Sequence, residues 1–317
     1  MTKQKNQNTG NTKKHRKMFY QPIRDKYISP FTDFGFKKLF GEECNKDLLL
    51  DFLNELLYEE EGRIVSISYL KLERLGVSSY SRKAIFDIYC ENEKGEKFIV
   101  ELQKETQDFF IDRSVYYSTF PIMEQATKGE GWQYELKAVY MIAILGFVFE
   151  ENKNDPNKYR YDVKLCDIET KKVFYNKLTF IYLEMPKFVK PIQELANRFE
   201  KWMYVIHNLS QLDYLPNELR ETIFERMFAA AEVARLSQAE YMLYVENLKI
   251  HRDNSNCFKT AIRKALEEGK AEGKAKGKAE GLAEGLAEGF EKGRIEGEKE
   301  RLKLQQELEA LKQLLGK

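Results

Sequence analysis

The chain has 317 residues, 43% hydrophobic and 32% charged, which is enough for one sizeable core with appendages but short for two full enzymes. Lys and Arg total 52 against 51 Asp and Glu, so no global positive field marks a nucleic-acid binder, and any such footprint must be local. With 18 Gly, 4 Cys and 13% aromatics, collagen, disulfide scaffolds and wholly disordered chains are excluded.

Residues 1–27 read as a disordered basic arm: Lys3, Lys5, Lys13, Lys14, Arg16, Lys17, Arg24 and Lys26 stand against Asp25 alone, among Asn, Gln, Thr and Gly. Such a segment serves either as a solubilising tail or as a strap along a phosphate backbone. It has no apolar h-region, so it is not a secretory signal, and a cytoplasmic location is expected. Order begins near Ile28. Thr32-Asp33 offers a helix cap, Phe36, Leu39 and Phe40 follow at helical spacing, and Gly41 can stop the helix. A second helix, capped by Asn45 or Asp47, carries Leu48, Leu49, Phe52, Leu53, Leu56 and Leu57 at the 3.6 period to about Tyr58.

The pattern then changes to strands. Ile64, Ile67, Tyr69 and Leu72 suggest one, followed by a polar linker, GVSSYSR. Two β-rich runs, Ala84 to Cys90 and Lys97 to Gln103, flank Asn92-Glu93-Lys94-Gly95, a hairpin with a type I turn and Gly95 in the left-handed bulge position. A helix from about Phe110 to Thr127 follows. Ala138 to Phe149 is the longest apolar stretch at 12 residues, too short for a bilayer span of about 20, so it reads as a buried strand rather than a membrane segment. Strands at Tyr161 to Leu165 and Leu178 to Leu183 complete an α/β pattern in residues 28–215. The cysteines Cys44, Cys90, Cys166 and Cys257 show no zinc-ligand spacing and read as reduced, mostly packed thiols.

All 7 prolines lie at or before Pro216, and residues 216–268 read as a helical extension. In 269–317 a tetrapeptide repeat takes over, with Gly at 269, 273, 277, 281, 285, 289, 293 and 297. A four-residue step advances the glycines by about 40° per repeat, so they define no stable face. Each costs a helix about 0.8–1 kcal/mol against Ala, which predicts a marginal helix ordered by pairing. Leu304, Leu308, Leu311 and Leu315 can supply a short coiled-coil seam; a solvated tail and a self-association arm both remain open.

The chemistry concentrates in the hairpin. Alternation puts Glu101 and Gln103 on one face of their strand and Phe98, Val100 and Leu102 on the other. If Asn92 opposes Glu96, paired residue numbers sum to 188, and Asp87 lies opposite Glu101 on the same face. Two carboxylates facing each other across a sheet destabilise it, and apolar neighbours make their ionisation harder still. A hard cation removes the conflict: Mg²⁺ takes one or two carboxylates and keeps water or substrate phosphate. Gln103 is placed to orient a water or phosphate oxygen. A polar outer hairpin face explains the same residues without a site, and a retaining glycosidase also needs paired carboxyl groups, although nothing else suggests a sugar platform. Asp33 has a structural role as a helix-cap residue. Lys37 and Arg113 can meet phosphate or simply be solvated, Tyr116 and Tyr117 read as packing residues, and His207 and His251 are assigned no chemistry.

Asp87, a hairpin, then Glu101-Leu102-Gln103 resembles the D...ExK signature of the PD-(D/E)XK nucleases. The wider text resembles the recombination-promoting nuclease (Rpn) and putative transposase family: Thr32-Asp33-Phe34-Gly35-Phe36-Lys37-Lys38-Leu39-Phe40-Gly41, Leu53-Asn54, FDIYCENEKGEKFIVELQ, Arg113 with Tyr116-Tyr117, Leu183-Glu184-Met185-Pro186-Lys187-Phe188, and the glycine-repeat tail. This resemblance covers nearly all of residues 28–300. It implies a restriction-endonuclease-like αβββαβ core and Mg²⁺- (or Mn²⁺-) dependent cleavage of DNA phosphodiesters in recombination or transposition. By position, Asp87 and Glu101 become metal ligands, with the Leu102 backbone carbonyl as a third and Asp33 as the acidic residue contributed by the first helix. Phe86 replaces the proline of the motif, and Gln103 replaces the lysine, removing a cation that would stabilise charge at the reacting phosphate. DNA is the implied partner, with a second copy of the chain through the tail. A DNA-binding accessory that cuts poorly, or an inert self-associating scaffold, are the alternatives.

Overall fold

The computed structural model describes residues 25–70, 86–126 and 133–315, with the side chains of 60, 61, 251 and 310–315 outside that description. The basic arm up to Arg24, Leu72, the linker 76–82, Ala84, Ile85 and Thr127 lie outside the described residues, as do the side chains of His251, Leu311 and Leu315. Two compact units divide the chain at His251/Arg252.

In the first unit, α1 (Asp33–Phe40) is capped by Thr32, whose Oγ1 accepts from the Gly35 amide at 3.0 Å, and ends at Gly41. Asp33 is therefore the first helical residue and not the cap. α2 (Lys46–Glu61) buries Leu48, Leu49, Phe52, Leu53, Leu56 and Leu57, each worth about 1.5–3 kcal/mol when removed from water. Asn45 occupies the cap position of α2 but does not cap it, because its amide instead donates to the Lys38 carbonyl at 2.8 Å and ties the two helices together. Asn54 holds the chain after α2: its side chain both donates to the Ile64 carbonyl and accepts from the Ile64 amide. That fixes the entry to β1 (Ile67–Tyr69), shorter than the pattern from Ile64 onward suggested.

β2 (Ile88–Asn92) and β3 (Lys97–Gln103) form the expected hairpin. Its register pairs Ile88 with Val100 and Cys90 with Phe98, and the turn closes with Gly95 at φ +81°, a value that costs glycine little. α3 (Phe110–Glu124) crosses over to β4 (Val139–Leu145), all seven of whose residues are buried. β5 (Arg160–Cys166) and β6 (Val173–Glu184) follow, then α4 (Arg198–Asn208), α5 (Thr222–Ala231) and the start of α6 (Gln238–Leu315).

The six strands form one sheet in the order β1-β2-β3-β4-β6-β5. β1, β2 and β3 are antiparallel neighbours, β3, β4 and β6 run parallel, and β5 is antiparallel to β6. The succession α2-β1-β2-β3-α3-β4 is the αβββαβ core. Alternation divides the sheet cleanly. Cys90, Phe98, Val100, Tyr140, Ile142 and Ile181 pack with α1, α2, α4 and α5, while Tyr89, Ile99, Met141, Ala143 and Tyr182 pack under α3. α5 and the first turns of α6 share the larger core through Phe224, Met227, Tyr244 and Leu248. Because β3, β4 and β6 are parallel, Gln103, Leu145 and Glu184 arrive in register at the C-terminal ends of their strands.

The second unit, residues 252–317, carries the glycine repeat as helix. Its repeat side chains are exposed, and a Cβ added at any of the eight glycines would meet nothing within 4 Å. The cysteines correct the sequence expectation. All are free, but only Cys90 is packed; Cys44, Cys166 and Cys257 are exposed, since they sit in a short turn, at the end of an edge strand and on the second unit's solvated helix.

Candidate active site

Asp87 immediately precedes β2 and Glu101 lies near the end of β3. The ladder ends at the pair Ile88–Val100, and just beyond it Asp87 and the Glu101-Leu102 segment meet through hydrogen bonds. The Asp87 amide donates to Glu101 Oε1 at 3.2 Å, and Asp87 Oδ2 accepts from the Leu102 amide at 2.8 Å. Strand alternation is not carried through Asp87, however. Phe86 enters the α3-side core with Tyr89, so the chain bends here and the Asp87 side chain reaches across the strand end toward Lys37 of α1.

Glu101 is 2% exposed. Burial first, and the Asp87 carboxylate second, push its carboxyl up to about 8, while Arg113 and Lys37 act in the opposite sense. Burial likewise raises Asp87, offset in part by the Leu102 amide and Lys37. The apolar wall behind this desolvation is aromatic: the Phe86 ring meets Tyr117 edge-on at 5.0 Å, and the Arg113 guanidinium lies over Tyr117 at 4.9 Å and Phe110 at 5.8 Å.

Two cations flank the pair. Lys37 is 2.6 Å from Asp33 and 3.9 Å from Asp87, so Asp33 joins the cluster through this lysine. Arg113 is 3.3 Å from Glu101 and donates to Gln103 Oε1 at 3.3 Å and Gln107 Oε1 at 2.8 Å. Gln103 donates in turn to the Glu105 carbonyl at 2.9 Å. The end of β3 is fixed by Gly146, whose amide donates to the Gln103 carbonyl at 2.9 Å. A Cβ at 146 would stand 2.6 Å from the Lys104 carbonyl oxygen, so glycine permits this approach.

The structure thus brings Asp87, Glu101, Leu102 and Gln103 together with Lys37 and Arg113, and sets Asp33 at the rim. Tyr117 is a packing residue and Tyr116 is half exposed on α3. Gln107 was not singled out in the sequence; only its contact with Arg113 marks it, and no spacing announces that contact. Among the described residues no group of three or more His, Cys, Asp or Glu is arranged to hold a metal ion. The two carboxylates nevertheless suit a hard cation that completes its shell with main-chain oxygen, water and phosphate. Such an ion would offset the burial that raises both groups and the Asp87 charge that raises Glu101 further.

Among the described residues no helix is long and apolar enough to cross a membrane. No curated protein and no solved structure matches the chain. Residues 30–261 match the PD-(D/E)XK nuclease family transposase, a span that takes in α1, the hairpin, α3 and the rest of the sheet. With that match over most of its length, and a mixed sheet built in the αβββαβ order, the chain belongs to the PD-(D/E)XK nuclease family transposases.

Proposed function

We propose that this protein is a divalent-metal-dependent DNA endonuclease acting in recombination or transposition. The observation that carries the reading is the buried Asp87–Glu101 pair at the strand ends, both carboxyl groups raised by burial, Glu101 further by the Asp87 charge, and flanked by two cations. Asp87, Glu101 and the Leu102 carbonyl would hold Mg²⁺ or Mn²⁺, with Asp33 available at the rim. A cation bound there supplies Lewis-acid polarisation of a phosphoryl oxygen and activates the attacking water.

The chain's own residues do the rest. Lys37 and Arg113, which partly neutralise the carboxylates in the metal-free protein, are set to meet phosphate oxygens as charge develops on them. Gln103 acts through Arg113, holding the guanidinium from its carbonyl side while its own amide is anchored to Glu105. That arrangement also favours a second reading, a DNA-binding accessory that cuts poorly, because position 103 brings no cation to the scissile phosphate. A plasmid-nicking assay separates them: the endonuclease nicks with Mg²⁺ and not with chelator, and Asp87→Asn or Glu101→Gln abolishes nicking. Salt-sensitive DNA binding without nicking selects the accessory.

The organisation that fits this role is a nuclease-like domain over 28–215, whose core is completed by α5 and the first turns of α6 from the helical extension 216–268, and a self-associating tail over 269–317, with the basic arm 1–27, anchored at its end by the buried Tyr27, adding affinity for phosphate. Deleting 269–317 should leave the first unit folded and lower the assembly mass seen by light scattering. An unchanged mass over a wide concentration range would contradict the role given to the tail.

A further inference from the structure

The loop between β3 and α3 ends in a feature that packing does not explain. Phe109 occupies the N-cap position of α3 at φ +61°, in the left-handed region, and supplies no side-chain cap. Ser, Thr, Asp or Asn would satisfy a helix amide there, and Gly would adopt the backbone without strain. A bulky aromatic does neither, and its ring gains little from the fold, since Phe109 is 79% exposed. Strain held by a residue that contributes so little to the core points to a role outside it.

Its position says which role. The Phe109 carbonyl accepts from the Arg113 amide at 2.9 Å, and the Arg113 side chain contacts both Gln107, two residues before Phe109, and Glu101. Phe109 is therefore the exposed residue of the short segment that Gln107 and Arg113 tie to the candidate site. The loop itself is not built to grip phosphate, for Glu105 and Asp108 outnumber Lys104. What it offers to a nucleic acid is an aromatic face.

Resting on the endonuclease reading above, we propose that Phe109 is a stacking platform for an unpaired nucleobase next to the scissile phosphate, so that the preferred substrate is DNA with single-stranded or unpaired bases at the point of cleavage. Every base has a π-face, so such a platform is tolerant of sequence. A fully paired duplex keeps its bases within the stack and presents nothing for the ring to cover.

The test uses the full chain with Ca²⁺ in place of Mg²⁺, and two probes. One is a single-stranded oligonucleotide carrying a fluorescent adenine analogue; the other is the same oligonucleotide in a fully paired duplex. Phe109→Ala should weaken single-strand binding about ten-fold, the loss typical of one stacked base, and abolish quenching of the analogue. Phe109→Trp should restore both, and duplex affinity and melting temperature should be unchanged in either variant. Equal affinities for wild type and Phe109→Ala, or an equal loss on both probes, would overturn the stacking role while leaving DNA binding in place. A wild-type protein that binds neither probe would overturn the endonuclease reading together with this one.

Discussion

Glu101 and Glu184 are both buried carboxylates near the C-terminal ends of parallel strands in the interior of the sheet, yet their surroundings are opposite. Glu184, fully buried, has hydrogen bonds at Oε1 and only the Lys187 ion pair at Oε2. Lys187 stands 2.7 Å away, and the Phe149 amide and Asn152 side chain donate at 2.9 and 2.8 Å. Lys187 is itself completed by the Asn152 carbonyl and the Tyr161 hydroxyl. Glu101 faces another carboxylate, and its ion-pair partner, Arg113, is partly exposed and divided among three acceptors. A buried charge set against an opposite charge holds the fold together. One set against a like charge is destabilising until something else arrives, and this is the physical difference between a structural acid and a ligand-ready one.

The comparison breaks most visibly at Glu184. Glu184→Gln leaves the Lys187 ammonium buried without its counter-charge, so urea denaturation should show a loss of about 3–5 kcal/mol. A change under about 1 kcal/mol, the range of exposed pairs, would mean the pair is not the structural element described here.

Removing the charge at the other site should have the opposite sign. The folded-state carboxyl of Glu101 is raised from 4.5 to about 8, so its contribution to stability is fully present below pH 4.5 and is lost as the pH rises through about 8. Metal-free wild type should therefore lose stability over that window, and Glu101→Gln should not. Above about pH 8 the variant should be the more stable by about 1–3 kcal/mol, with Asp87→Asn changing in the same direction by less. Arg113 tempers the gain, but as a partly exposed group it rehydrates at little cost. Denaturation curves across pH check the sign, and a wild type that gains stability on going from pH 5 to 8 relative to Glu101→Gln would reverse the assignment.

Much of this was legible in the chain itself. The short hairpin turn fixes register through Ile88 and Val100, so the nearness of Asp87 and Glu101 follows from counting residues away from Gly95, although their expected place on one strand face does not hold. Periodicity likewise located α1, α2 and β4, because their apolar positions are the ones that pack. Other features depend on contacts that no local pattern encodes. The Glu184–Lys187 pair lies in a segment noticed for its resemblance alone, and adjacent polar residues do not reveal that they are buried together. The bend at Phe86–Asp87 escaped for the same reason: an apolar-polar pair reads as continuing alternation, whereas tertiary packing drew Phe86 under α3. The exposed cysteines were misjudged because a thiol's burial follows from its neighbours in space.

The central claim is that the Asp87–Glu101 pair is a cation site and not merely a polar strand end. Calorimetric titration of Mg²⁺ into the full chain above and below pH 8 tests it most directly. The account predicts saturable binding that strengthens as the pH rises through about 8, with proton release where Glu101 is still protonated, and no such binding to Glu101→Gln or Asp87→Asn. Mg²⁺ binding of equal strength by wild type and both variants, or none by the wild type on either side of that pH, would contradict it.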